Sequence, residues 1–137
     1  NKDALFARVM SFEADADVLL DAPLDELGPH MVRHVLVSQS QLGADPLLRV
    51  VFAPLHAEQG DILRANFRAQ VTERLTARLT GPDAGLRAEL AVAALLGLGV
   101  VYGLARGPHV RAAALDDVVK RYAPLVQEHL TPTTPRP

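Results

Sequence analysis

The chain has 137 residues, enough for one domain with a workable core, and its 49% hydrophobic and 22% charged residues are the balance of a soluble globular protein. Cysteine is absent, which excludes disulfides and thiolate metal sites and is compatible with a reducing cytoplasm, while 4% aromatic content makes the core aliphatic. A net charge of −2, with the basic residues scattered, argues against a nucleic-acid surface on this chain itself.

Asn1-Lys2-Asp3-Ala4-Leu5-Phe6 opens without an initiator Met; Asn1 suits an N-cap and Asp3 complements the helix dipole. Leu5, Val9 and Phe12 then predict a helix to about residue 14, on a chain that looks cut from something longer. Asp15 to Ala22 reads as a loop or a loose extra turn. Pro29 fits a first-turn position, so the next helix is expected from Pro29 to Gln41, stopped by Gly43. Asp45-Pro46 restarts the chain as cap and first turn of a helix to about Glu58, with Pro54 kinking or ending it.

Gly60-Asp61 reads as a break, after which Leu63, Phe67, Val71, Leu75 and Leu79 recur every fourth position on a long amphipathic helix. The last helix, about Leu115 to Leu130, carries Val118, Val119, Tyr122 and Val126 on one side, and Pro124 is expected to kink it. Thr131 to Pro137 has no face to bury and reads as a disordered tail. No strand pattern is present, so the expected fold is an all-α bundle of about six helices spanning residues 1–130.

Between these lies the stretch that organises the rest. Every residue from Leu90 to Ala105 is apolar, Gly or Tyr, which leaves a helix with no polar stripe. A chain this short has little with which to cover both faces, so a second copy is the natural cover, and Gly97, Gly99 and Gly103 would allow close approach. The rival readings are a core helix of a monomer and a membrane span; the latter is disfavoured by Arg87, Glu89 and Arg106 at the ends.

Chemistry is sparse. No Gly-x-Ser-x-Gly elbow, P-loop or dinucleotide fingerprint occurs, and Asp15/Asp17 and Asp116/Asp117 sit where carboxylates cap helices. His30 and His34 lie one helical turn apart, with His56 on the following segment, but a metal would need further ligands at comparable spacing. A metal-dependent helical-bundle enzyme on these three histidines and a helical protein-interaction module remain as alternatives. His34, Ser38, Gln39, His56, Asn66 and Tyr102 are polar groups on otherwise apolar helices, a composition that suits either a small-molecule pocket or ordinary buried polar groups.

Three features carry a family resemblance: the opening Asn1-Lys2-Asp3-Ala4-Leu5-Phe6, the Asp45-Pro46-Leu47-Leu48-Arg49 run, and the block from Arg87-Ala88-Glu89-Leu90 to Gly103 followed by Leu115 to Leu130 with its Ala123-Pro124. In that order they resemble the C-terminal ligand-binding and dimerisation domain of TetR-family transcriptional regulators. The family's three-helix DNA-binding domain, which would precede Asn1, is not in this sequence, so DNA contact is expected only through that missing part. The resemblance implies a cytoplasmic homodimer, a regulator (expected to repress) rather than an enzyme, with no cofactor and no membrane, whose parent releases DNA when a small apolar or amphipathic effector binds. On that reading the pocket is expected at Met10, Met31, His34, Ser38, Phe52, His56, Phe67 and Tyr102. The dimer seam is expected at Ala94, Leu98, Val101, Leu115, Val119, Tyr122 and Val126, on the last two long helices.

Overall fold

A computed structural model describes residues 1–42 and 45–132, and the expected tail beyond Pro132 lies outside the described residues. The architecture is all-α. Helix α1 spans Lys2–Met10, and the Asn1 side chain caps it by accepting from the Ala4 N–H at 2.8 Å. The expected continuation to residue 14 does not occur. The chain bends at Ser11, which is extended at ψ 144°, and a separate helix α2 forms over Glu13–Leu19 where a loop was expected. Phe12 causes the bend, since it is wholly buried while α1 before it exposes every residue from Lys2 to Val9.

A 3₁₀ turn at Leu24–Glu26 leads into α3, Leu27–Leu42, which begins two residues earlier than Pro29 predicts. Pro29 falls in the first turn, where its missing N–H would have had no helical partner. The expected helix over Asp45–Glu58 is instead a 3₁₀ stretch, Pro46–Phe52, ended by the extended Ala53 just before Pro54.

Gly60 is not a break. Helix α4 begins at Glu58 and runs through Gly60 to Phe67; position 60 requires glycine because a Cβ there would sit 1.8 Å from the Pro54 carbonyl oxygen. A π-helical turn at Arg68–Thr72 joins α4 to α5, Glu73–Arg78, in one rod. That turn keeps Leu63, Phe67, Val71, Leu75 and Leu79 all buried although they are spaced by four. A straight α-helix would carry such a row about 40° round per step.

Helix α6, Ala84–Gly99, also ends in a π turn, Val100–Leu104. A short α7, Pro108–Ala112, fills part of the expected loop, and α8 runs Leu115–Leu130, helical through Pro124. Helices α3, α6 and α8 pack against one another around an aliphatic core that includes Met31, Val35, Leu95, Val126 and Leu130. The α4–α5 rod lies against α6 and α2.

Gly99 and Gly103 are used inside the protomer rather than at a seam. They form a notch for the buried Gln39 of α3, whose Nε2 donates to the Gly99 carbonyl at 3.3 Å. A Cβ on Gly103 would come within 2.4 Å of Gln39 Oε1, whereas one on Gly97 would meet nothing within 4 Å. Of the three, only Gly97 faces outward.

Candidate functional site

The polar centre of the molecule lies where α1, α2, the 3₁₀ stretch and the α4–α5 rod converge. Arg49 extends from the 3₁₀ stretch and donates to the carbonyls of Pro46 (2.9 Å), Val9 (2.5 Å) and Ser11 (2.9 Å) and to Asp15 Oδ2 (2.8 Å). Its guanidinium lies 4.5 Å above the ring of Phe12, which meets Phe67 edge-on at 5.2 Å. Arg suits this place because a planar fork with five donors can serve several acceptors while stacking on a ring.

From the other side, the rod presents four side chains spaced by four. Asn66 Nδ2 donates to the Met10 carbonyl (2.9 Å), and Gln70 Oε1 accepts from the Phe12 N–H (2.6 Å) and from Ser11 Oγ (3.3 Å). Arg74 pairs with Asp17 at 2.9 Å, and Arg78 donates to the carbonyls of Leu20 (2.6 Å) and Ala22 (2.7 Å). The π turn falls inside this ladder, so one face of the rod reads the α1–α2 segment along its length.

Asp45 sits beside this centre. It is buried, its Oδ1 caps the 3₁₀ stretch by accepting from the Leu47 N–H at 3.1 Å, and its Oδ2 has no hydrogen-bond partner among the described residues. Burial is the main cause that pushes its carboxyl up to about 6; the charge of Asp15 adds to this, and the Leu47 hydrogen bond and Arg49 oppose it. His34 of α3 is half-buried, and burial first, then His30, holds its imidazole below the usual range against the pull of Asp15.

The residues expected to line a pocket do not form one open site. Met10, Met31 and Phe67 belong to the packed core, and Ser38 is buried on the same helix as Met31 and His34. Phe52 and His56 instead lie exposed on the surface around Pro54. Tyr102 is half-buried in the second π turn, where Arg111 donates to its carbonyl at 3.1 Å and stacks 5.1 Å from its ring.

Three clefts bear on where a ligand could sit, and that of about 380 Å³, between Asp25, Pro29, Lys120, Pro124 and Gln127, contains none of the eight expected residues. One of about 550 Å³ opens beside Arg49, between Arg8, Glu13, Asp15 and Pro46, and contains none of the eight. Another of about 140 Å³, between Tyr102, Leu36, Ser40 and Val118, is below the size of ordinary ligand pockets. The histidines do not assemble a metal set among the described residues: His30 Nε2 bonds the Val18 carbonyl at 2.8 Å, and His56 lies apart.

The expected seam divides in two. Val101 and Leu115 are exposed, and Ala94 and Tyr122 are half-buried at the edge of the core, where Tyr122 Oη donates to the Ala94 carbonyl at 2.6 Å. Leu98, Val119 and Val126 instead point into the protomer's own core, at 6%, 6% and 0% exposure. The outward row is one position over: Leu90 is 42% and Leu125 47% exposed, and Leu86, Ala93 and Gly97 continue it on α6, with Leu104 in the π turn that follows. By length and apolarity Ala84–Leu104 could cross a membrane, and only 33% of its most apolar window is buried in the protomer.

The sequence does not reveal Arg49, Asp15, Gln70 and Asp45 as a group, because they come from three segments whose proximity only the fold creates. Asn66 and Gln39 were visible as polar residues on apolar helices, but their partners are backbone groups. No curated protein matches the chain. A family model described as "Tetracyclin repressor-like, C-terminal domain" matches residues 25–130, from the first 3₁₀ turn to the end of α8, and leaves α1 and α2 outside the match. With its all-α order and that match over most of its length, the chain belongs to the tetracycline repressor-like C-terminal domain family.

Proposed function

We propose that this domain is the effector-sensing and dimerising part of a cytoplasmic transcriptional repressor and carries out no catalysis. Membership of a regulatory family supports the sensing role. The observation that carries the dimer is the apolar row left uncovered or only partly covered on two neighbouring helices: Leu86, Leu90, Ala93 and Gly97 on α6, Val101 and Leu104 in its π turn, and exposed Leu115 and Leu125 with half-buried Val118 and Tyr122 on α8. On α8 the spacing is three, four, three, the pattern of a helix that packs along another helix. A second copy related by a twofold axis would cover both rows in a four-helix interface, removing on the order of 2,000 Å² from water.

The effector would enter the core beside α3, among Met10, Met31, His34, Ser38 and Phe67, by displacing the segments packed around it. Methionine walls adapt to an apolar ligand at small cost, and His34 and Ser38 would orient its polar end. The ligand would act by preferring one arrangement of the covering segments over another, since an equal affinity for both shifts nothing. Differential scanning fluorimetry against a panel of amphipathic small molecules tests this. At least one should raise the melting temperature in a concentration-dependent way, and His34→Ala should weaken that compound's binding by about tenfold. A panel without any such compound, or a hit indifferent to His34, would count against the sensor.

A further inference from the structure

We infer that the effector is a small organic cation, an apolar body carrying an ammonium group, and that Asp45 Oδ2 is the acceptor that receives it. The inference rests on the reading of this core as an effector site and names the chemistry that site selects. Asp45 has a local task that one oxygen completes: ahead of the 3₁₀ stretch it caps the Leu47 N–H through Oδ1. Serine, threonine or asparagine would cap as well and bring no charge. The second oxygen is left without a partner among the described residues, on a residue only 2% exposed. A buried acceptor without a donor is costly, and more so when it is charged.

The charged groups around Asp45 do not serve it. Arg49 is close enough for its charge to act on Asp45, but its donors are committed elsewhere. Nε donates to the Pro46 carbonyl, Nη1 to that of Val9, and Nη2 to the Ser11 carbonyl and to Asp15. Asp15 thus takes the arginine's charge in an ion pair, and its own carboxylate repels that of Asp45. His34 on α3 also feels Asp15, yet burial and then His30 hold its imidazole below the usual range, so at neutral pH it brings no positive charge. Two carboxylates share one arginine, and an ionised Asp45 leaves the interior one positive charge short.

The walls fit the rest of such a ligand. Leu47, two residues beyond Asp45, belongs to the same buried cluster as Met10, Phe12, Met31 and Phe67. Phe12 and Phe67 meet edge-on, and the face of Phe12 already holds one cation, the Arg49 guanidinium, at 4.5 Å. Aromatic rings and adaptable thioethers beside an unpaired carboxylate suit an apolar ammonium compound. A neutral ligand of the same shape leaves the charge unanswered, and an anionic one is repelled, so the site discriminates by charge.

Isothermal titration calorimetry with matched pairs tests this: phenethylamine, tryptamine and octylamine, each against the alcohol that carries a hydroxyl in place of the ammonium. At least one amine should bind the parent about tenfold or more tighter than its alcohol. Asp45→Asn keeps a capping oxygen and removes the charge; it should erase that preference by weakening the amine and leaving the alcohol unaffected. Asp21→Asn, which removes an exposed charge, should change neither. If Asp45→Asn does not fold, NMR of the side-chain carboxyl carbons in the parent carries the test. A saturating amine should lower the Asp45 titration midpoint from about 6 by about one unit or more, since the cation favours the ionised form. Alcohols that bind as tightly as their amines, with Asp45→Asn indifferent to both, overturn the cation while leaving an effector site standing. Amines that fail to bind in the millimolar range, or that leave the Asp45 midpoint in place, overturn it as well.

Discussion

At the scale of single residues, backbone proximity decides which substitutions the domain tolerates. Gly60 lies against the Pro54 carbonyl, and a methyl there would overlap a backbone oxygen that no side-chain rotation can move. Gly60→Ala should therefore destabilise the domain by about 2 kcal/mol or more, although alanine is the better helix former, and urea unfolding would measure it. Asp45 makes a different prediction. Its folded-state carboxyl titrates near 6 against an ordinary 3.8, so the ionised form is the disfavoured one in the fold. Its contribution to stability is therefore greatest in acid, falls as pH rises through the interval between those values, and stays lost above it. A shift of about two units corresponds to on the order of 3 kcal/mol. Stability of Asp45→Asn relative to the parent should rise between pH 4 and 7 by that order, measured by denaturant titration at each pH. A difference that does not change with pH would contradict the assignment.

At the scale of elements, the Gln39 notch offers a coupling that can be measured in isolation. Gly103→Ala should cost about 1–3 kcal/mol, because the added Cβ meets Gln39 Oε1, Cδ and Nε2 all within 3 Å. In a Gln39→Ala background the same change should be neutral or gain up to about 1 kcal/mol through helix propensity. Additivity in this double-mutant cycle would show that the two do not touch. The elements themselves were legible unevenly. The α8 boundaries follow from its apolar row and the acidic pair at its start, and α3 from its own apolar row. Leu47, Leu48, Val51 and Phe52 carry a helical period that does not distinguish an α-helix from the 3₁₀ stretch they form, and the residue before Pro54 ends it. The π turn in the rod had a signal that was present and unread: a strict spacing of four over Leu63 to Leu79 is longer than an α-helix repeats. Phe12 looked like one more apolar position on the first helix, and nothing local says that it would be drawn under Arg49.

At the scale of the whole molecule, the sequence made the all-α class and the family visible, since both depend on the order and composition of long segments. It left the pocket and seam residues blurred, because each is set by helix rotation, and a rotation of one position exchanges Val119 and Val126 for Val118 and Leu125. Gly99 and Gly103 show the same limit. Missing side chains promised a close neighbour, and the neighbour is Gln39 of the same chain. The central claim is that the row on α6 and α8 is covered by a second copy. Sedimentation equilibrium at micromolar concentration tests it most directly. The parent should sediment at twice its 14.7 kDa mass. The Leu90→Arg/Leu125→Arg variant should fall to a single protomer while retaining its helical circular dichroism. A parent that sediments as one protomer, or a double variant that stays paired, would contradict the account.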